Sequence, residues 1–185
     1  MTRIIAGAAG GRRLAVPASA RPTTDRVREA LFNILAARLD FTGLRVLDLY
    51  AGSGALGLEA LSRGAASAVL VESNRRALDV LRRNVDAVAL PGARVVASPV
   101  ARYLDGEPDE PFDLIFADPP YDDAPVVLPD IARRAGDAGW LARDGVLVLE
   151  SSARAPVGAP DGLTSITPLT QKRYGEALLW YGRRR

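Results

Sequence analysis

The stretch Asp48-Leu49-Tyr50-Ala51-Gly52-Ser53-Gly54-Ala55-Leu56-Gly57 decides the fold of this chain. Its second half has the pattern G-x-G-x-x-G, which follows the apolar run Leu44–Leu49 and precedes residues that favour a helix. A glycine turn between a strand and a helix is typical of βαβ units that hold a nucleotide-like cofactor against the backbone. The alternative is a tight turn that needs glycine for steric reasons alone.

Two acidic residues flank this turn in the sequence. Glu72 lies 20 residues after Gly52, at the end of the next predicted strand, where a carboxylate can hold a ribose diol. Asp48 precedes the glycines at the tip of the first strand, where a pyrophosphate would be repelled. A sulfonium cofactor that carries an ammonium group benefits from such an acid. The pair therefore favours S-adenosylmethionine over NAD, although Asp48 is also a residue that caps or turns a chain.

The rest of the chain alternates short apolar strands with helices, which predicts an α/β fold with a mostly parallel sheet. Residues 2–16 predict a glycine-rich hairpin, and residues 163–169 and 175–181 a closing hairpin. In parallel sheets the ligands lie at the carboxyl ends of the strands. Four polar residues follow predicted strands and are expected at that edge: Asp48, Glu72, Ser98 and Asp118. The predicted strands are 44–49, 68–72, 93–97, 112–117 and 145–150, and the predicted helices are 25–39, 55–63, 75–89, 100–104 and 126–135.

The segment Asp118-Pro119-Pro120-Tyr121 is the most specific motif of the chain. Two prolines fix φ and remove two N–H donors, so we expect a rigid segment whose carbonyls meet no competing local N–H. Carbonyl and carboxylate acceptors together suit the amino group of a nucleobase, and the ring of Tyr121 can stack on the same base. The alternative is a turn that only ends a strand.

Composition excludes several classes of chemistry. The chain has 185 residues, which suits one domain, and it contains no Cys and no His. Disulfides, zinc sites of the usual ligand types, thiol nucleophiles and histidine bases are therefore excluded. No apolar run is long enough to span a bilayer, so we expect a cytoplasmic protein without a membrane or metal partner.

Basic residues concentrate at the N-terminal end although the net charge is only +2. A single acid, Asp25, accompanies them there, and such clustering suits a phosphate-rich partner. The last three residues, Arg183–Arg185, are expected to form a solvated tail. The N-terminal basic residues are Arg3, Arg12, Arg13, Arg21, Arg26 and Arg28.

Taken together, these motifs resemble those of a known family. Asp48–Gly54 followed by Asp118–Tyr121 resembles the class I methyltransferases that modify amino groups, which use S-adenosylmethionine. The segment Arg21-Pro22-Thr23-Thr24-Asp25-Arg26-Val27-Arg28-Glu29-Ala30-Leu31-Phe32-Asn33 resembles the bacterial small-subunit ribosomal RNA guanine-N2 methyltransferases, the RsmD family. Lys172–Gly175 also fits, and the resemblance covers essentially the whole chain.

The resemblance implies a Rossmann-like class I methyltransferase fold with a mostly parallel seven-stranded sheet and helices on both faces. It also implies a small N-terminal hairpin-and-helix extension, with residues 1–24 contacting RNA and residues 25–185 forming the methyltransferase domain. Many class I enzymes place an acid after the third strand, but this chain has Ser98-Pro99-Val100 there. We therefore expect Ser98 or backbone groups near Val100 to hold the adenine of the cofactor.

The site residues follow from the motifs and the resemblance. Asp118, Pro119, Pro120 and Tyr121 are expected to hold the target amino group, and the six N-terminal arginines to contact RNA. The residues expected to bind the cofactor are Asp48, Tyr50, Gly52, Ser53, Gly54, Glu72, Ser73, Ser98 and Val100.

The implied activity is methyl transfer to the exocyclic N2 of a guanine in 16S ribosomal RNA. The implied partner is ribosomal RNA within the assembling small subunit, bound by a monomeric enzyme. Three alternatives stay open from the residues. They are a DNA adenine-N6 methyltransferase, a non-catalytic RNA-binding or ribosome-assembly module, and an NAD-linked oxidoreductase.

Overall fold

The computed structural model describes residues 2–17, 24–158 and 162–185. The chain forms two compact units, Met1–Val100 and Ala101–Arg185. In chain order the elements of the first unit are β1 (Thr2–Arg3), β2 (Arg13–Leu14), α1 (Asp25–Ala36), β3 (Arg45–Leu49), α2 (Ala55–Ser62), β4 (Ser67–Glu72), α3 (Arg75–Val88) and β5 (Ala93–Ala97).

The three long strands of the first unit are parallel. β4 lies in the middle and pairs with β3 on one side and with β5 on the other. Val46, Leu47 and Leu49 of β3 are fully buried, as expected for a parallel strand that is covered on both faces. Because the strands run in the same direction, their carboxyl ends meet at one edge of the sheet.

The N-terminal elements are of the predicted types, but some of their end residues differ from the prediction. β1 and β2 form the expected antiparallel hairpin. The sequence offers Thr24 or Asp25 as the cap of helix α1, and the structure has Thr24, whose Oγ1 accepts the N–H of Val27 at 3.3 Å. The helix ends at Ala36 rather than near residue 39, because the N–H of Arg38 donates to the carbonyl of Leu35 at 2.8 Å and tightens the last turn.

The second unit contains a mixed sheet. β6 and β7 are parallel, whereas β9 runs antiparallel to both of its neighbours, β7 and β8. The closing hairpin of the sequence analysis is therefore present. The elements are α4 (Val100–Leu104), which begins at the last residue of the first unit, and then β6 (Phe112–Ala117), α5 (Ala124–Asp137), β7 (Leu141–Ser152), β8 (Ile166–Tyr174) and β9 (Ala177–Arg184).

Strand β7 starts earlier than predicted. The sequence predicted a strand from residue 145, but the strand already begins at Leu141. Asp144 adopts a φ of 62°, and the pairing with β6 shifts register between Phe112 and Leu114. A β-bulge at this point therefore lets the strand include a residue with a backbone conformation typical of turns.

The expected solvated tail at Arg183–Arg185 is not observed. Arg184 ends β9, and its guanidinium donates to the carbonyl of Leu141. The backbone N–H of Arg185 donates to the carbonyl of Ser165 at 2.9 Å, and its Nε donates to Oγ1 of Thr167 at 2.8 Å. Arg183 and Arg184 therefore belong to β9, and Arg185 directly after it is bonded to Ser165 and Thr167.

Candidate active site

The chain leaves β3 through a loop in which three residues have positive φ. We call residues 50–54 the glycine loop. The φ angles are 63° at Tyr50, 55° at Gly52 and 80° at Gly54, and such a value is uncommon for a bulky residue like tyrosine. A Cβ on Gly54 would lie 2.5 Å from Cδ1 of Leu81, so this position needs glycine for space as well as for conformation. At Gly52 and Gly54 the loop therefore has backbone without side chains at the carboxyl end of β3.

Asp48 attaches helix α2 to strand β3. Its side chain is buried, and Oδ2 accepts the N–H of Gly57 in the first turn of α2 at 2.9 Å. A carboxylate at a helix N-terminus is stabilised by unpaired N–H groups and by the helix dipole. A Cβ on Gly57 would lie 2.2 Å from Cδ2 of Leu70, so the helix is packed tightly there. The capping role that the sequence left open for Asp48 is thus observed.

The carboxylate of Glu72 is held by three backbone N–H groups at the end of β4. Oε2 accepts from Gly52 at 2.9 Å, and Oε1 accepts from Ser73 at 2.8 Å and from Asn74 at 2.7 Å. Hydrogen bonds to an ionised acceptor are stronger than neutral ones. Glu72 therefore connects the glycine loop with the loop that follows β4.

The third strand of this unit contributes to the same edge. The N–H of Ser98, directly after β5, donates to the carbonyl of Glu72 at 3.0 Å, and the Ser98 hydroxyl donates to the carbonyl of Pro99 at 3.1 Å. Val100 is buried and begins α4. All nine residues expected on the cofactor side lie in the first unit, at the carboxyl ends of β3, β4 and β5: Asp48, Tyr50, Gly52, Ser53, Gly54, Glu72, Ser73, Ser98 and Val100.

In the second unit, the Asp-Pro-Pro-Tyr segment directly follows β6. Pro119 is buried and Pro120 is exposed, while Asp118 and Tyr121 are half-buried. The carbonyl of Pro120 accepts the N–H groups of Asp123 at 3.0 Å and of Ala124 at 3.1 Å. For Pro120 the expectation of a carbonyl without local N–H partners is therefore wrong, because the turn into α5 uses it.

Glu150 is a buried carboxylate beside this segment that the sequence analysis missed. It lies on β7 with 6% of its surface exposed, and Oε1 accepts the hydroxyl of Tyr121 at 3.4 Å. The pairing of Ala117 with Leu149 brings Glu150 level with the first residue after β6. The available signal was its position at the end of a predicted strand, which it shares with Asp48 and Glu72.

The sequence as a whole matches the family described as Conserved hypothetical protein 95 (Cons_hypoth95) over residues 2–183. The chain belongs to this family. It is 44% identical over 151 residues to ribosomal RNA small subunit methyltransferase D of Escherichia coli (strain K12), covering 80% of this chain and 74% of that protein. It is 32% identical over 177 residues to the protein of the same name from Haemophilus influenzae, covering 91% and 88%.

Solved structures agree with this membership of the Cons_hypoth95 family. The yhhF protein from Escherichia coli superposes with a TM-score of 0.85 and 37% identity, covering 99% of this chain and 97% of that one. A more distant chain crystallised with S-adenosylhomocysteine gives a TM-score of 0.68 at 16% identity, covering 85% and 48%, and shares the fold. The expected Rossmann-like class I methyltransferase fold is confirmed, with a mostly parallel sheet, helices and an N-terminal hairpin.

In this Cons_hypoth95 chain the N-terminal hairpin is fastened to α2. The carboxylate of Glu59, which is fully buried, accepts the N–H of Ile5 at 2.6 Å and that of Ala6 at 3.0 Å. The hydroxyl of Ser62 accepts the N–H of Ala9 at 2.9 Å and donates to the carbonyl of Ala6 at 2.5 Å. No sequence pattern indicated this attachment, because both side chains occupy ordinary helical positions.

Arg28 belongs to the same attachment and does not lie on the surface. Its side chain is fully buried, and Nη2 donates at 2.6 Å both to the carbonyl of Arg3 and to Oδ1 of Asp25. Its Nη1 lies 4.0 Å from the carboxylate of Glu59, which also accepts Nε of Arg63 at 2.8 Å. The expected RNA contact of Arg28 is therefore replaced by a structural role, since a buried guanidinium needs protein acceptors.

The other five N-terminal arginines differ in their surroundings. Arg3, Arg13 and Arg26 are exposed. Arg12 is also exposed, but its guanidinium donates to the carbonyl of Val88 at the end of α3, where a cation is stabilised by the helix dipole. Arg21 lies outside the described residues. The arginines best placed for a phosphate partner are therefore Arg3, Arg13 and Arg26.

Metal-binding clusters and membrane-spanning helices are both absent from the described residues. Across residues 2–17, 24–158 and 162–185, no group of three or more Asp or Glu side chains is arranged to hold a metal ion. Within the same ranges no helix has the length and apolar character needed to cross a membrane.

Proposed function

We propose that this chain transfers a methyl group from S-adenosylmethionine to the exocyclic N2 of a guanine in 16S ribosomal RNA. The observation that carries the proposal is the Asp118–Tyr121 segment, which directly follows β6 in a chain whose glycine loop is bonded to Glu72. The names of the relatives, ribosomal RNA small subunit methyltransferase D, support RNA rather than DNA as the substrate.

The residues of the first unit fit the proposed cofactor. Gly52 and Gly54 carry no side chains, so the backbone of the loop can approach a ligand closely. Glu72 offers a carboxylate that three N–H groups hold in place, and this is the acceptor that a ribose diol needs. We assign the methionine part to Asp48, Tyr50, Gly52, Ser53 and Gly54, the ribose to Glu72 and Ser73, and the adenine to Ser98 and Val100. When bound, S-adenosylmethionine supplies an electrophilic methyl group on a sulfonium sulfur.

The proposed amine site is the rigid segment after β6. The exocyclic nitrogen of a base is a weak nucleophile, because its lone pair is delocalised into the ring. Acceptance of its N–H groups by Asp118 and by the carbonyl of Pro119 localises that lone pair. The carboxylate also stabilises the positive charge that develops on nitrogen as it becomes methylated, and it can accept the proton that this nitrogen must release. The bond between the methyl carbon and the sulfur would break in the same step and leave a neutral thioether. Tyr121, which Glu150 orients, stacks on the base, and the fixed backbone at Pro119 and Pro120 holds the acceptors in position.

The proposed RNA surface is the N-terminal extension, residues 1–24, together with the start of α1. Arg3, Arg13 and Arg26 are exposed and can neutralise phosphates. Residues 25–185 form the methyltransferase domain in this assignment. We propose that the protein acts in the cytoplasm as a monomer, on ribosomal RNA within the assembling small subunit, and without a metal ion.

One experiment tests this function directly. The protein is incubated with methyl-labelled S-adenosylmethionine and unmethylated small ribosomal particles, and the digested RNA is analysed by mass spectrometry. We expect label in N2-methylguanosine, and no label with the Asp118→Ala variant. A parallel incubation replaces the particles with DNA. Label in N6-methyl-2′-deoxyadenosine of this DNA, or none in either nucleic acid, would overturn the proposal. Calorimetry that detects strong NAD binding and no S-adenosylhomocysteine binding would overturn it as well.

A further inference from the structure

A buried amide on helix α3 joins the N-terminal hairpin to the glycine loop. Asn84 is 2% exposed. Its Oδ1 accepts the N–H of Ala15 at 2.8 Å, and its Nδ2 donates to the carbonyl of Ala15 at 2.9 Å and to the carbonyl of Ser53 at 2.8 Å. Both donors of the amide and its acceptor are thus used, so its orientation is fixed.

The bond to Ser53 acts on the middle of the glycine loop. Ser53 lies between Gly52 and Gly54, whose positive φ angles and missing side chains leave the backbone to be held by hydrogen bonds. The N–H of Gly52 is held by Glu72, and the N–H of Gly54 by the carbonyl of Ala51 at 2.7 Å. The amide of Asn84 holds the carbonyl side of the peptide group that joins Ser53 to Gly54, so both sides of this peptide group are restrained.

The bonds to Ala15 add a second function to the same side chain. Ala15 directly follows β2, which contains the exposed Arg13. The Ala15 backbone bonds to Asn84 through both its N–H and its carbonyl, in the manner of a strand neighbour. A displacement of the hairpin therefore moves Asn84, which is bonded to the glycine loop. A displacement of the glycine loop moves Asn84 as well, and with it the hairpin.

We propose that Asn84 is a positioning residue that sets the glycine loop for the cofactor and couples this loop to the N-terminal hairpin. The inference rests on the proposed binding of S-adenosylmethionine at the loop. Because coupling between two sites is reciprocal, cofactor binding stabilises the backbone at Ala15, and a nucleic acid bound to the hairpin strengthens cofactor binding.

The first test compares two variants in the full chain. Asn84→Ala removes the bonds to both segments, whereas Asp86→Ala changes an exposed side chain of the same helix. Calorimetry measures the affinity for S-adenosylhomocysteine without RNA, and thermal unfolding checks that each variant is folded. We expect affinity to fall about tenfold in Asn84→Ala, since the loss of one or two buried hydrogen bonds has this size, and to stay within about twofold in Asp86→Ala. Equal affinities in the two variants would overturn the inference.

The second test needs no variant and stays decisive if Asn84→Ala does not fold. Hydrogen exchange of the wild-type protein is measured with and without S-adenosylhomocysteine. We expect the ligand to slow exchange at Ala15 as well as in the glycine loop. Slowing in the glycine loop alone would overturn the coupling. Failure of the wild-type protein to bind S-adenosylhomocysteine would instead overturn the proposed function, and this inference with it.

Discussion

The hydroxyl of Tyr121 lies 3.4 Å from Oε1 of Glu150, a carboxylate that is 6% exposed. A buried carboxylate fixes the tip of the aromatic ring. Since Tyr121 ends the segment that we assign to the target amine, the pair sets the plane on which a flipped base would stack. Glu150 is thus a positioning residue for the proposed site.

Removal of the Tyr121 hydroxyl should reduce activity moderately. Tyr121→Phe keeps the ring and loses the bond to Glu150, so kcat/KM for ribosomal particles should fall about threefold to tenfold. In Tyr121→Ala the value of kcat/KM should fall further, because base stacking on an aromatic ring contributes about 1–3 kcal/mol. Methyl-transfer kinetics measure both. Tyr103→Phe, whose ring packs on Trp140, is the matched control. Equal losses in Phe and Ala would show that the ring does not contact the base.

Asp118→Ala should separate chemistry from cofactor binding. Loss of an acceptor that acts on developing charge lowers kcat by about a hundredfold to a thousandfold. The affinity for S-adenosylhomocysteine should stay within about twofold, because the proposed cofactor residues lie elsewhere. Single-turnover assays and calorimetry measure the two quantities, with the exposed Asp122→Ala as control. Simultaneous loss of binding and transfer would mean that the site is misassigned.

The exposed N-terminal arginines should determine the salt dependence of RNA binding. Arg13→Ala and Arg26→Ala should each reduce the slope of log affinity against log salt by about 0.7, since each removes one phosphate contact. Filter binding at several salt concentrations gives the slope. Arg133→Ala, an exposed arginine of α5, should leave it unchanged. A wild-type slope in the Arg13→Ala, Arg26→Ala double variant would contradict the proposed surface.

Glu59 should be important for stability rather than for chemistry. Glu59→Gln removes the anion that faces Arg28 and Arg63, so it should lower the free energy of unfolding by about 3–5 kcal/mol. Denaturant titration measures this change, and the exposed Glu29→Gln on α1 provides the control. A loss below about 1 kcal/mol would show that the buried charges relax without Glu59.

The sequence predicted the glycine turn after β3 and the acid at the end of β4, because these signals are local. The structure adds a bond between Gly52 and Glu72, which the spacing of the two residues did not predict. The cap at Thr24 was equally readable, since it depends on residues three apart. Signals of this kind need no knowledge of distant packing.

Residues whose role depends on long-range contacts were missed or misread. Arg28 looked like one of several basic surface residues, because nothing nearby shows that Glu59 and the carbonyl of Arg3 surround it. Arg184 looked like part of a tail, although β7 and β8 flank its strand. Asn84 carries no motif at all, and its importance lies in partners 31 and 69 residues away.

The short helix α2 carries the glycine loop at its first residue and the attachment of the hairpin at Glu59 and Ser62. With a rise of 1.5 Å per residue, these two ends are separated by about 10 Å. Under the proposed function, α2 then sets the distance between the hairpin that binds RNA and the loop that binds the methyl donor. The nucleotide that is methylated is the one that lies at this distance along the bound ribosomal RNA, so the length of the helix helps to select the target.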